Sequence, residues 1–531
     1  MKLSFFGAAY AVTGSCHCLD ACGKRILIDC GLQQGRDEED NSRLPFVPGE
    51  VDYVLVTHAH IDHSGRLPLL RKCGFRGDII TTRLTAELLA IMLRDSAHIQ
   101  ESDAAWKNQK GKRAGKAAEE PLYTLQDVED TLPLISQKDY NEVFDLCDGI
   151  RVRFVDAGHL LGSAMIEIWI HENGKERKLV FSGDIGNKNQ PIICDPSFIE
   201  NADYVVMEST YGDRNHDTET GSYTKELAKI IDETLGKGGN VVIPSFAVGR
   251  TQELLYFIRQ MKEEGLVTAN PDFPVYVDSP LAEEATRIFS GDLTGYLDEE
   301  AIALVKTGIG MLSFPGLNLC KTTEESKRLN EDGIPKVIIS ASGMCDAGRI
   351  RHHLKHNLWR RECTVVFVGF QAVGSLGRHL LDGASSVKMF GEEIAVNASI
   401  VNFKGLSSHA DMTALTEWIC AFSPRPKHVF VVHGDADVIP RFVNRLQEIG
   451  ISAHGPNWME EYDLVKGITV REGVKPKEKR HVQPGMSPAY AKLLDTEKQL
   501  LSVIQKNSGL PNKDLAKFTD QLRAIIYKWE R

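Results

Sequence analysis

The sequence has no apolar run approaching the roughly 18–20 residues that a membrane-spanning helix requires, so no membrane partner is expected. It also lacks the regular cysteine spacing of a disulfide framework. Its 11 cysteines are odd in number and scattered, which fits reduced thiols and a cytoplasmic setting. Nor is there an excess of positive charge. With 62 Lys and Arg against 73 Asp and Glu, the formal net charge is −11. That balance argues against indiscriminate nucleic-acid binding but leaves room for a local basic cleft. The N-terminal Met1-Lys2-Leu3-Ser4-Phe5-Phe6 is too short and weakly charged for a signal peptide and is expected to be a first β-strand. What remains, 42% hydrophobic and 25% charged over 531 residues, is ordinary globular material for two or three domains.

Against this background one stretch stands out. Thr57-His58-Ala59-His60-Ile61-Asp62-His63-Ser64-Gly65 puts three imidazoles and a carboxylate within six residues. A buried strand is expected before it, over Val51–Val56, and a helix after it from Arg66, so the cluster falls on a strand-to-helix loop where side chains can converge. Imidazole and carboxylate together suit borderline divalent metals such as zinc, with manganese as the alternative. Further along, Asp29, His159, Asp184 and His433 each stand at or just after an expected strand end. Such ends gather on one edge of an α/β layer. The natural arrangement is two ions: His58, His60 and His159 around one, Asp62, His63 and His433 around the other, and Asp184 bridging. The Cys16-His17-Cys18 run with Cys22 alternates like a strand and is not taken as a second metal site.

The first 200 residues alternate strands with helices, and a second rhythm begins near Ser209. Strands are expected at Val241–Pro244, Val275–Val277, Val337–Ile339 and Val365–Val368, separated by helices such as Gln252 to Lys262, the pattern of a parallel, Rossmann-like sheet. The polar, basic stretch from Trp106 to Glu120, with Lys107, Lys110, Lys112, Arg113 and Lys116, is expected to be a solvated loop. From Gly467 onward 13 Lys and Arg face 7 Asp and Glu, a net of +6 that leaves −17 for the rest. Leu515, Phe518, Leu522, Ile525, Ile526 and Trp529 mark one face of a terminal helix, expected to dock on the chain's own core, with a homodimer contact or an RNA-facing appendage as alternatives.

In this order the motifs resemble the metallo-β-lactamase fold and, more narrowly, its β-CASP nuclease family, over about residues 1–466. The fold motifs match Asp29, His58-x-His60-x-Asp62-His63, His159 and Asp184. The β-CASP motifs match Glu208 in Met207-Glu208-Ser209-Thr210, His409 in Ser408-His409-Ala410-Asp411, and His433 in Val432-His433-Gly434-Asp435. The resemblance implies an αββα sandwich into which a Rossmann-like β-CASP domain is inserted. Its expected bounds are 1–208 for the first part of the sandwich, 209–393 for the insert, 394–466 for the return segment and 467–531 for a basic helical extension. It further implies His409 as general acid oriented by Glu208, and Asp29 as acceptor of a hydrogen bond from a ligand imidazole. The implied activity is metal-dependent hydrolysis of RNA phosphodiesters, leaving 5′-phosphate and 3′-hydroxyl ends, with the histidine at position 433 pointing to RNA over DNA.

Single-stranded RNA is the expected partner. Ser340-Ala341-Ser342-Gly343-Met344 and Gly374-Ser375-Leu376-Gly377-Arg378 lie where backbone N–H groups can meet phosphate, with Arg250 or Arg378 supplying charge. His352-His353-x-x-His356 has helical spacing but no acidic neighbour in sequence, and is expected to be cleft-facing or structural. No large C-terminal domain of the ribonuclease J kind is evident, which favours internal cleavage over a 5′-to-3′ exonuclease. A DNA-processing nuclease and a small-molecule hydrolase are weaker alternatives.

Overall fold

The computed structural model describes residues 1–34, 41–112, 117–216, 223–372, 374–403 and 407–475. Of the C-terminal segment it describes 496–497, 500–501, 503–504, 506 and 512–529. The chain divides into a large unit, Met1–Pro476, and a small one, Lys477–Arg531.

Two sheets build the first layers of the large unit. One has eight strands, in the order Ile468–Arg471, Glu461–Asp463, Lys2–Phe5, His17–Ala21, Lys24–Ile28, Tyr53–Leu55, Asp78–Thr82 and Ile135–Lys138. The other has seven, in the order Ala453–His454, His428–Val431, Tyr204–Met207, Lys175–Phe181, Ala164–Glu172, Ile150–Asp156 and Val143–Cys147. Alternation decides which residues meet between them. Leu3, Phe5, Leu19 and Ile26 pack against Phe154, Ile166, Ile168, Ile170, Phe181 and Phe430. Met165, Val155 and Val180 point the other way, onto Trp418 and Phe442. Those two residues belong to the outer helices Met412–Cys420 and Val438–Glu448. Leu70, Leu84, Leu88 and Val128, on helices Leu67–Lys72, Arg83–Lys112 and Leu125–Thr131, join a core that also holds Val54 and Ile79 of the first sheet. The result is a helix–sheet–sheet–helix sandwich.

A third, all-parallel sheet of six strands is inserted, in the order Leu317–Leu319, Val275–Val277, Val337–Ser340, Val241–Pro244, Thr364–Phe367 and Ser399–Asn402. Helices Tyr223–Gly236 and Arg250–Glu263 contribute to the core on one face; Ile350–Asn357 and Leu376–Leu381 cover the other. The long helix Arg83–Lys112 packs on Pro280–Ile288 of the insert, so the two parts share one core.

Two expectations are corrected. Ser399–Asn402 pairs in parallel with Thr364–Phe367, so the chain leaves the inserted sheet only after Asn402, past the 393/394 boundary. This short, half-exposed edge strand carries no pattern that says which sheet it joins. The basic stretch expected as a loop is helical through Lys112, continuing the helix that starts at Arg83. Lys110 lies 3.6 Å over the Trp106 ring one turn back, a cation–π pair that supports a polar helix end. Arg113 and Lys116 lie outside the described residues. In the small unit Asn512–Trp529 is a helix, while most of the preceding basic segment lies outside the described residues. All eleven cysteines are free thiols. Among the described residues no helix is long and apolar enough to cross a membrane.

Candidate metal centre

The two facing sheets deliver their strand ends to one edge of the sandwich. Asp29 follows Lys24–Ile28, and the His58–His63 cluster follows Tyr53–Leu55. From the second sheet, His159, Asp184, Glu208 and His433 follow Ile150–Asp156, Lys175–Phe181, Tyr204–Met207 and His428–Val431. Asp29 and His433 sit in left-handed backbone, at φ 61° and 49°. A non-glycine residue held there is strained, so its surroundings must fix it. The Thr57 N–H donates to Asp29 Oδ1 at 2.8 Å, and the His433 N–H donates to the Ala8 carbonyl at 2.8 Å.

Side chains converge in two clusters. His60 Nδ1 lies 3.0 Å from His58 Nε2 and 3.3 Å from His159 Nε2. In the second, His63 Nε2 is 3.3 Å from His433 Nε2, which is 3.5 Å from Asp62 Oδ2. Asp184 stands between them. Its Oδ2 is 3.5 Å from His58 Nε2 and 3.6 Å from His159 Nε2; its Oδ1 is 3.3 Å from His63 Nε2 and 3.6 Å from His433 Nδ1.

The donor set fits divalent metal. Ligands bonded tetrahedrally to zinc at about 2.0–2.1 Å stand about 3.3 Å from one another, the spacing seen here. Outer hydrogen bonds fix the tautomers that coordination needs. His63 Nδ1–H donates to Asp29 Oδ2 at 2.7 Å, and His159 Nδ1–H to the Ser408 carbonyl at 3.1 Å. The Thr57 hydroxyl donates to Asp29 Oδ2 at 2.9 Å, which leaves its oxygen to accept from His58 Nδ1–H at 3.1 Å. Each of these rings thereby turns a bare Nε2 inward. Burial drives the His58, His60 and His159 pKa values down, which favours the neutral form able to bind a metal. Asp184 Oδ1 is buried with no hydrogen-bond partner, an orphaned carboxylate oxygen aimed between the two clusters.

Glu208 and His409 form a second device beside the first. His409 Nδ1 is 3.2 and 3.3 Å from the two Glu208 carboxylate oxygens. Glu208 is buried and also accepts the Ile185 N–H at 2.6 Å and the Thr210 N–H at 3.2 Å, so the carboxylate is locked in place. Burial opposes charge on His409, but the adjacent Glu208 carboxylate outweighs it and raises the pKa to about 9. The His409 ring centroid lies 4.5 Å from that of His159. Its backbone is tied down as well: Ala410 N–H donates to Ile185, Asn187 N–H to Ser408, and His216 Nε2 to the His409 carbonyl at 2.9 Å.

The residues expected to grip substrate are placed differently. Arg250 is paired with Glu253, and both side chains are about nine-tenths buried. Arg378 pairs at 2.8 Å with Asp382, the residue that follows its helix. Both guanidinium groups, expected to supply charge, therefore have carboxylate partners. The Ser342 N–H and hydroxyl both turn back to the Ala347 carbonyl, and Gly343 packs against Phe246. His353 is structural: its Nε2 is 2.6 Å from Asp278 and its Nδ1 3.0 Å from Asn330 Oδ1. Thr57, Thr210 and the Ser408 carbonyl escaped sequence reasoning. All three stand within the motifs, Thr57 next to the first histidine of the cluster, Thr210 two residues past Glu208 and Ser408 beside His409.

Three family models match the chain: the metallo-beta-lactamase superfamily over residues 9–81, the Beta-Casp domain over 251–380, and the Zn-dependent metallo-hydrolase RNA specificity domain over 393–456. Ribonuclease TTHA0252 of Thermus thermophilus is 38% identical over 82% of this chain and 94% of its own length. Transcription termination factor FttA of Methanosarcina mazei is 32% identical over 82% of this chain and 67% of its own. FttA of Methanocaldococcus jannaschii is 28% identical over 85% and 69%.

Proposed function

The chain belongs to the β-CASP family of metallo-β-lactamase-fold proteins, and on that premise we propose that it is a two-metal ribonuclease cutting single-stranded RNA internally. The observation that carries this reading is the Glu208–His409 pair set against the His159 edge of the metal clusters. A phosphodiester has an alkoxide leaving group that must be protonated, and this pair is built to hold and deliver a proton.

His58, His60 and His159 would hold one ion, Asp62, His63 and His433 the other, with Asp184 between them. Bound there, zinc or manganese supplies Lewis-acid chemistry, polarising phosphoryl oxygens and making water a stronger nucleophile at neutral pH. The protein supplies the rest. Asp29 keeps His63 in the Nδ1–H tautomer, so the ring presents a lone pair and not a proton. Glu208 holds the His409 Nδ1–H, which leaves Nε2 as the position from which a proton reaches the departing 3′ oxygen. With that proton transferred and water added at phosphorus, the products carry a 5′-phosphate and a 3′-hydroxyl. The name of the Thermus relative supports RNA as the polymer.

The mode of attack is read from a circle. Circular and 5′-labelled linear single-stranded RNA of one sequence are digested side by side. Internal cleavage linearises the circle at a rate close to that of the linear substrate. A 5′-to-3′ exonuclease leaves the circle intact while the label is released as mononucleotide.

A further inference from the structure

At the carboxyl ends of the three central strands of the inserted sheet, two aromatic rings stand in solvent. Phe246, two residues past Val241–Pro244, is 49% exposed, and Phe370, three past Thr364–Phe367, is 58% exposed. The third strand, Val337–Ser340, leads into Gly343, on which the Phe246 ring rests. A Cβ built there would sit 3.4 Å from ring atoms Cδ2 and Cε2. Gln371, beside Phe370, donates to the Gly343 carbonyl at 2.9 Å and joins the two sides of the patch. This edge is also where the strand order reverses, the usual ligand position of an open parallel sheet.

The Phe246 backbone is held rigidly. Ser245 N–H donates to the Ser340 carbonyl, and the Thr251 hydroxyl donates to the Phe246 carbonyl at 2.7 Å. A hydrogen-bonded loop thus keeps an apolar ring out of the core, a preorganised contact surface. The same loop runs on to Gly249, whose added Cβ would lie 3.0 Å from Leu160, the neighbour of His159. Three residues of chain span at most about 11 Å, so Phe246 sits on the same short loop that reaches Leu160, on the side of the inserted sheet that faces the His159 turn.

We propose that Phe246 and Phe370 form a stacking platform for an unpaired nucleobase of the RNA beside the scissile bond. This rests on the ribonuclease reading above and gives the single-strand preference a physical source, because a paired base has no free face to offer. The rings lack polar readout, so the platform accepts any base.

The test pairs protein variants with base-deleted RNA. Single-stranded RNA with one cleavage site is made intact and with an abasic ribose at each position flanking that site. KM and kcat are measured for the wild type, Phe246→Leu, Phe370→Leu, the tyrosine variants at both positions, and Phe198→Leu as an exposed-phenylalanine control. The leucine variants are expected to raise KM about tenfold on intact RNA with kcat nearly unchanged, and tyrosine to restore it. On RNA abasic at one flanking position the wild type should show the same rise and the leucine variants no further loss. Equal KM values for wild type and leucine variants on intact RNA, or a leucine penalty that persists on every abasic substrate, overturn the platform. Failure of the wild type to cut intact RNA overturns the ribonuclease reading instead, and the platform with it.

Discussion

His63 shows how much of the centre depends on single hydrogen bonds. Its ring has two nitrogens, and only the bond from Nδ1–H to Asp29 decides which of them is bare. Thr57 in turn holds both Asp29 oxygens, through its N–H and its hydroxyl. Asp29→Asn replaces an anionic acceptor with an amide that can present a donor to the same nitrogen. Metal affinity is expected to fall about 10–100-fold, read by competition with a chromogenic chelator. A variant that binds metal as tightly as the wild type would remove Asp29 from this role. The cluster around His63 was legible in the sequence because four of its members lie within six residues. The Glu208–His409 pair was not legible that way. The two are some 200 positions apart, and family resemblance, not spacing, singled them out.

The elements work by bringing backbone close to backbone. Gly31 follows the strand that ends at Ile28, and a Cβ there would stand 1.6 Å from the Asp62 carbonyl oxygen. Gly31→Ala must therefore push the Asp62–His63 segment aside. Overpacking of this kind costs about 1–3 kcal/mol, and denaturant unfolding together with metal titration should show stability and affinity falling together. At the end of strand Ile150–Asp156, Asp156 accepts the Gly158 N–H at 2.8 Å and shapes the turn that carries His159. Burial raises its pKa from the usual 3.8 to about 7, against the pull of Gly158 and Tyr140. Between these values the folded state holds a proton that the unfolded chain has lost, so stability falls as pH rises from about 4 to 7. Asp156→Asn keeps an acceptor without the charge. Its stability relative to the wild type should therefore grow across that window and level off above it, as followed by urea unfolding at a series of pH values. A constant difference would place the Asp156 pKa outside this range. Where element-scale reading failed, the reasons are local. Lys107, Lys110 and Lys112 look like a solvated loop by composition, yet the helix begun at Arg83 carries through them. Ser399–Asn402 is four residues of edge strand, too short to announce its sheet.

Across the large unit, the fold works by gathering residues from position 29 to position 433 onto one edge. Strand order does this: Tyr204–Met207 lies between Lys175–Phe181 and His428–Val431, which sets Glu208 beside both Asp184 and His433 although the inserted sheet separates it from His433 in sequence. The long-range architecture was legible as a rhythm of strands and helices, and the histidines and aspartates that converge at its edge as a pattern within it. The carboxylate partners of Arg250 and Arg378 were not, because an arginine's partner is chosen in three dimensions, as Glu253 and Asp382 were. In the proposed mechanism a metal centre and a separate proton donor act together on RNA. One comparison tests it most directly: wild type and His409→Ala, each assayed for bound metal by elemental analysis and for cleavage of a 5′-labelled single-stranded RNA. Two metal ions per chain are expected in both proteins, with cleavage at least about 100-fold slower in the variant. Cleavage by His409→Ala at the wild-type rate, or loss of its metal along with its activity, would contradict that mechanism.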